Sequence, residues 1–230
     1  MRKTLYAIAA LAAFASAAPL SAQYAAVTTR GGIGGTGLLD WGALGAENTV
    51  VPSPTTTGVP GIAGLNATVS EASGSLERRN QNSGWAGNFT NGDRLLWTTT
   101  RGGPLTILFN SSVFAVGANY MTDNFGAFTG QIEAFNSSNI SLGIFGFSGN
   151  ATSANDGTAI FAGVSSTLGD IRKITITGLT ATNNPNDFAI NQLSVRANAN
   201  TTVPEPMTIW LTGAGLGIVG VVARRRRKTA

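Results

Sequence analysis

From Met207 to Ala223 the chain carries no charged residue, and five cations, Arg224, Arg225, Arg226, Arg227 and Lys228, follow without a gap. As a helix this run reaches roughly 25 Å, the short end of what spans a bilayer. A block of cations resists crossing and is held on the cytoplasmic side. Pro204 and Pro206 stop a helix from continuing upstream. The sequence therefore predicts a single transmembrane helix over 207–223 and a basic stop at 224–228. Everything before it must fold as a separate unit outside the membrane.

The other end agrees with export. Met1-Arg2-Lys3-Thr4 is a short basic start, Leu5 to Ala18 is apolar and alanine-rich, and small residues follow. This is the order of parts of a secretory signal peptide, too short and wrongly flanked for a span. Cleavage is expected after Ala22, because cutting after Ala18 would leave Pro19 as the first mature residue. Residues 1–22 are assigned as the signal peptide, with the Sec route and signal peptidase as partners.

Val203-Pro204-Glu205-Pro206, a short apolar span, an arginine cluster and the chain end stand in that order over 203–230. The arrangement resembles the PEP-CTERM sorting signal of exported bacterial proteins. The resemblance implies recognition and removal of the tail by a membrane protease of the exosortase class. It also implies transient anchoring in the inner membrane, then a cell-surface or extracellular location, in an exopolysaccharide-producing Gram-negative host.

The ectodomain is then residues 23–202. The formal charge of the whole chain is +4, which on its own would suggest a polyanion ligand. Within 23–202, however, eight cations face ten anions, and the basic excess belongs to the two targeting ends. Scattered charges make no phosphate-binding stripe, and no nucleic-acid partner is expected. The chain has no cysteine and no histidine, so disulfides, thiol nucleophiles, serine–histidine triads and histidine-ligated zinc are all excluded.

Residues 23–37 are polar and glycine-rich and read as a flexible lead-in. Gly32-Ile33-Gly34-Gly35-Thr36-Gly37 matches a dinucleotide fingerprint, but no strand leads into it and no helix follows. Leu38 to Leu44 suggests a first strand anchored by Trp41, and Val50 to Gly64, with Pro52, Pro54 and Pro60, suggests a long surface loop. Ala67–Glu71 and Ser75–Arg78 alternate weakly, as edge strands do. From Asn82 onward the pattern sharpens: Trp85–Phe89, then after a turn at Asn91-Gly92-Asp93, Leu95–Thr100, Leu105–Phe109, Val113–Tyr120, Phe128–Phe135, Ile140–Phe147, Thr158–Val164, Ile171–Thr177 and Phe188–Val195 are short β-branched and aromatic phrases with turn residues between them. No stretch carries a convincing helical period. The fold class is therefore all-β, an antiparallel β-sandwich of jelly-roll type. Gly92-Asp93-Arg94-Leu95-Leu96-Trp97, Gly126-Ala127-Phe128-Thr129, Gly157-Thr158-Ala159-Ile160-Phe161 and Asn186-Asp187-Phe188-Ala189-Ile190-Asn191 also resemble a recurrent ectodomain of PEP-CTERM proteins, over roughly 38–197. That resemblance implies an exported β-sandwich and attaches no activity to it.

Candidate ligand contacts follow from chemistry. Exposed aromatics stack on sugar rings, with amides and carboxylates alongside. Trp85, between Gly84 and Gly87, is expected to be exposed, with Asn88 and Asp93 close by, whereas Trp97 lies in an alternating strand and is expected in the core. Asp156 and Asp187, in Asn-Asp turns, are candidate oxygen ligands for a structural Ca²⁺, though such turns form equally well without metal. Glycoside cleavage would need two of Asp93, Glu133, Asp156 and Asp187 about 5–9 Å apart, which sequence spacing does not supply. The expectation is a non-enzymatic exported surface or matrix protein associated with exopolysaccharide. The alternative is a secreted carbohydrate-binding module.

Overall fold

The computed structural model describes residues 23–72, 75–99, 103–181 and 185–197. The signal peptide, Val203–Pro206, the span 207–223 and Arg224–Lys228 lie outside these residues. Among the described residues no helix is long and apolar enough to cross a membrane.

Two antiparallel sheets face each other, as the alternation predicts. The larger runs β1 (Tyr24–Val27), β12 (Ile160–Ser166), β9 (Ala115–Thr122), β14 (Phe188–Ile190), β7 (Arg94–Thr98), β6 (Leu76–Asn80), β3 (Thr49–Val51). Beside this path β15 (Leu193–Arg196) pairs both β9 and β2 (Gly37–Leu39). The smaller sheet runs β11 (Ser141–Ala151), β10 (Gly126–Phe135), β13 (Ile171–Thr180), β8 (Leu105–Val113), β5 (Asn66–Glu71), β4 (Thr55–Gly58). Period-two alternation sends Leu105, Ile107 and Phe109 of β8, and Phe128, Ile132 and Ala134 of β10, into the core between the sheets. Tyr120 sits at its centre, with ring centroids of Phe147, Phe188 and Phe128 at 4.8, 4.9 and 5.5 Å.

β9 is buried on both faces because its outer face is covered too. Residues 23–37, expected as a flexible lead-in, form that cover, and the reason is pairing. β1 adds to β12 in register from Tyr24↔Ser166 to Val27↔Gly163, and the Tyr24 hydroxyl donates to Asp170 Oδ2 at 2.7 Å. A single helical turn, α1 (Arg30–Ile33), then lays Ile33 against Ala115 and Phe161. Arg30 reaches the sheet surface, donating to Gln192 O, Ser194 Oγ, Asn119 Oδ1 and Asn191 Oδ1. The glycines after it serve packing rather than a nucleotide. Gly34 ends the turn at φ 61°, and a side chain on Gly35 would collide with the Val195 carbonyl.

Three local expectations change for the same reason, that tertiary pairing outweighs composition. Leu38–Leu44 is divided into β2 and a 3₁₀ turn (Trp41–Leu44) capped by Asp40, whose side chain accepts from Gly42 N at 2.8 Å. Val50–Gly64 is not all loop, since it contributes to β3 and carries β4. Ala67–Glu71 and Ser75–Arg78 are internal rather than edge strands: β5 lies between β4 and β8, and β6 between β3 and β7.

Candidate functional site

The loop that holds the predicted ligand contacts is turned into the protein. Trp85 is 6 % exposed, its ring edge-on to Trp97 at 5.9 Å. It is a packing residue, and the expectation of exposure fails because the 81–93 segment folds over the outer face of β7 and β9. Trp97 is covered in turn by the Arg79 guanidinium, 4.7 Å from its ring centroid, and Trp41 is buried with Nε1 donating to Asn191 O at 2.7 Å. Asn88 is also buried. Its amide donates to Thr152 Oγ1 at 2.8 Å and Thr158 Oγ1 at 3.0 Å, and accepts from Thr152 N at 2.7 Å. Its hydrogen bonds are spent on tying this loop to the β11–β12 connection. Asp93 accepts from Asn191 Nδ2 at 2.9 Å and Thr90 N at 3.3 Å. Each of the three has partners within the fold, and what they build is scaffold.

The two candidate calcium ligands belong to different turns. Asp156 caps its own turn, accepting from Thr158 Oγ1 at 2.6 Å and Thr158 N at 3.0 Å, and these bonds hold its carboxyl below the usual range. Asp187 leads into β14, its carbonyl accepting from Asp123 N at 2.7 Å. Among the described residues no three acidic side chains are grouped to hold a metal ion. Glu133, the fourth carboxylate considered, lies on the other sheet.

The open surface is the outward face of the six-stranded sheet, where alternation leaves the polar partners of the core residues. Thr129, Gln131 and Glu133 of β10 point out between Phe128, Gly130, Ile132 and Ala134. Register sets rows across the strands: Ser148–Thr129–Leu179, Gly146–Gln131–Thr177 and Ile144–Glu133–Thr175. Thr106, Ser70, Thr68 and Thr56 continue the hydroxyl-rich surface over β8, β5 and β4. Over the first two rows lies an open groove of about 410 Å³ lined by Thr129, Gly130, Gln131, Gly146, Phe147, Ser148 and Leu179. Gly146 has open space where a side chain would stand, so a ligand can approach the backbone beside the Gln131 amide. The Thr129 hydroxyl is buried and has no hydrogen-bond partner among the described residues. At the far end of the face the Lys173 ammonium sits 3.9 Å from the Phe135 ring centroid and donates to Asn139 Oδ1. Hydroxyl and amide groups with an apolar flank at Leu179 suit a neutral polyol, and Glu133 is the single carboxylate in these three rows.

One acidic group stands apart. Glu71 ends β5 on its core-facing side, opposite Leu105. It is 6 % exposed, and neither carboxylate oxygen has a hydrogen-bond partner among the described residues. Burial, reinforced by the charge of Asp187, pushes its carboxyl up to about 7.

The family model described as the PEP-CTERM protein-sorting motif matches residues 202–228. No curated protein matches the chain. Among solved structures, a DUF4465 family protein from Bacteroides caccae aligns at TM-score 0.42 and 12% identity, covering 69% of this chain and 99% of that one. CsCBM6-3 from Clostridium stercorarium, solved with cellobiose, aligns at TM-score 0.32 and 11% identity, covering 63% and 94%. The enzymatically active domain of bacteriophage CBA120 tailspike protein 4 aligns at TM-score 0.29 and 10% identity, covering 58% and 19%.

Proposed function

We propose that this PEP-CTERM protein, an exported and surface-associated exosortase substrate, is a non-catalytic component of the extracellular matrix that holds exopolysaccharide on the outward face of its six-stranded sheet. The observation that carries this reading is the groove over Thr129, Gln131, Gly146, Ser148 and Leu179. It opens to solvent on the sheet surface, where a polysaccharide can lie across the strands. Its lining offers hydrogen bonds from the Ser148 hydroxyl and the Gln131 amide, with no cationic side chain among the lining residues, which favours a neutral glycan. Hydrolysis is not part of the proposal, because glycoside cleavage takes two carboxyl groups flanking the bond and these rows hold only Glu133.

The test is a polysaccharide array with the processed protein, with and without Ca²⁺, that includes the exopolysaccharide of its own host. Binding is expected, independent of Ca²⁺ and without release of reducing ends. Gln131→Ala should weaken it about tenfold, the loss of one or two hydrogen bonds, with an unchanged Tm. No retention on any polysaccharide, or binding indifferent to both Gln131→Ala and a Ser148→Trp block, would overturn the reading.

A further inference from the structure

The sandwich has several strands at sheet edges, and they are not alike. β1 and β4 have four residues each and β3 three, and β4 is flanked by Pro52, Pro54 and Pro60. Short length and proline are the ordinary protections against strand addition. β11 has neither. It runs eleven residues, Ser-Leu-Gly-Ile-Phe-Gly-Phe-Ser-Gly-Asn-Ala, without a charge or a proline, and among the described residues it pairs only β10. From Ile144 to Ala151 that pairing is continuous. The main chain of 144–150 makes no hydrogen bond to any other segment among the described residues. Ile144, in the middle of this edge, is 60 % exposed. An open row of alternating N–H and C=O groups is matched by one kind of structure, another β-strand.

We propose that β11 is a homotypic docking edge, pairing antiparallel with β11 of a second copy of this chain about a two-fold axis through Gly146. The strand is self-complementary about that point. Pairing there sets Phe145 of one protomer opposite Phe147 of its partner on the core-facing side. On the outward side it sets Ile144 opposite Ser148. Aromatic pairs directly across a ladder are among the favourable cross-strand contacts, and a two-fold axis uses each contact twice. Neither protomer brings a charge to the seam. The nearest, Glu133, lies beside Ile144 and so faces its partner's Ser148–Thr129 row rather than a second Glu133. The two six-stranded sheets then join into one continuous face.

Sedimentation of the processed protein over micromolar to tens of micromolar concentrations tests this. The parent is expected to form a dimer. The variant I144K/S148K places two pairs of lysines face to face and should sediment as a monomer with the parent's Tm, since both positions are exposed. I144K/S148E sets each lysine opposite a glutamate and should remain dimeric. A parent that stays monomeric overturns the proposal, as does a dimer that survives the lysine pair, or one lost equally in both variants. Should the lysine variant fail to fold, cysteine pairing decides instead, because the chain has no cysteine of its own. Mixed I144C and S148C proteins should form an intermolecular disulfide that neither forms alone, and absence of that species rules out this register. A glycan-binding failure would leave these outcomes unchanged, so the two readings stand or fall separately.

Discussion

Arg30 and Asn191 stand 161 positions apart in the sequence, yet Arg30 Nη2 donates to Asn191 Oδ1 over 2.8 Å. Asn191 passes the contact on, donating from Nδ2 to Asp93 Oδ2 at 2.9 Å while its Oδ1 also accepts from Asn119 N at 3.0 Å. The amide thus bridges a guanidinium and a carboxylate that do not touch. Burial lowers the Arg30 pKa, and the charge of Asp93 opposes that shift. The guanidinium sits over the Phe161 ring at 5.4 Å, so the N-terminal segment is held by one cation serving several acceptors.

Replacing Arg30 with Met should keep the packing length and remove every donor. The acceptors at Gln192, Ser194, Asn119 and Asn191 would lose a charged partner in a half-buried site. A cost of about 2–4 kcal/mol is expected, read as a Tm lower by roughly 5–15 °C. Limited proteolysis should then cut before Leu38, where the parent resists.

Val116→Asp probes the centre of the larger sheet. Val116 is fully buried on β9 between Val164 and Val195. An unpaired carboxylate there should cost several kcal/mol and unfold a domain of ordinary stability. Circular dichroism at 25 °C checks it, and a native near-ultraviolet tryptophan signal in the variant would contradict the strand's placement.

Much of this was readable in the chain, and the misses have definite causes. The alternation in Phe128–Phe135 and Leu105–Phe109 announces both the strands and their outward face, so the sheet carrying the groove was legible. Trp85 was misplaced because glycine and polar neighbours describe a loop and say nothing of which surface it covers. Arg30 was missed altogether. A cation between Thr29 and Gly31 looks like a solvated loop, and its partners come from positions 119 to 194. The open side of β11 is likewise a property of sheet order, which local pattern does not encode.

Glu71 makes stability depend on pH, and the direction follows from its raised carboxyl. Burial raises the folded group to about 7, against an ordinary value of 4.5. Between these values the native state holds the proton more tightly than the unfolded chain, so stability falls as pH rises from about 4.5 to 7 and stays lowered above it. Asp123, raised by burial and by Asp187, acts in the same direction. Tm should therefore be higher at pH 5 than at pH 8. Glu71→Gln should flatten the profile and stabilise the protein at pH 8 by about 1–3 kcal/mol, the cost of an unsatisfied buried group.

Trp85 and Gln131 should fail in opposite ways. Trp85→Ala opens a cavity beside Trp97 and should cost about 3–5 kcal/mol, while the molecules that remain folded bind glycan as the parent does. Gln131→Ala should melt with the parent and bind more weakly. Affinity normalised to the folded fraction separates them.

Pro204-Glu205-Pro206 within the matched motif should govern processing alone. Changing all three to Ala leaves the apolar run and the arginines untouched, so the protein should be exported and accumulate in the membrane at its larger mass. Mass spectrometry of the surface form is decisive. A parent product still ending in Thr229-Ala230 would mean that the tail is not removed.

The pairing of β1 with β12, and of Arg30 with residues near the end of the domain, has a consequence for the order of events in time. A chain delivered N-terminus first presents Tyr24–Val27 long before Gly163–Ser166 exists as a partner. It presents Arg30 and β2 before Leu193–Val195. Contacts of such long separation form late and slowly. The sandwich therefore has no intermediate length at which it is finished, and any chain stopping short of Leu193 leaves β2 without its strand partner. When Arg196 emerges, the sorting motif is nearly the next thing to follow, so closure of the domain and arrival of its tail coincide.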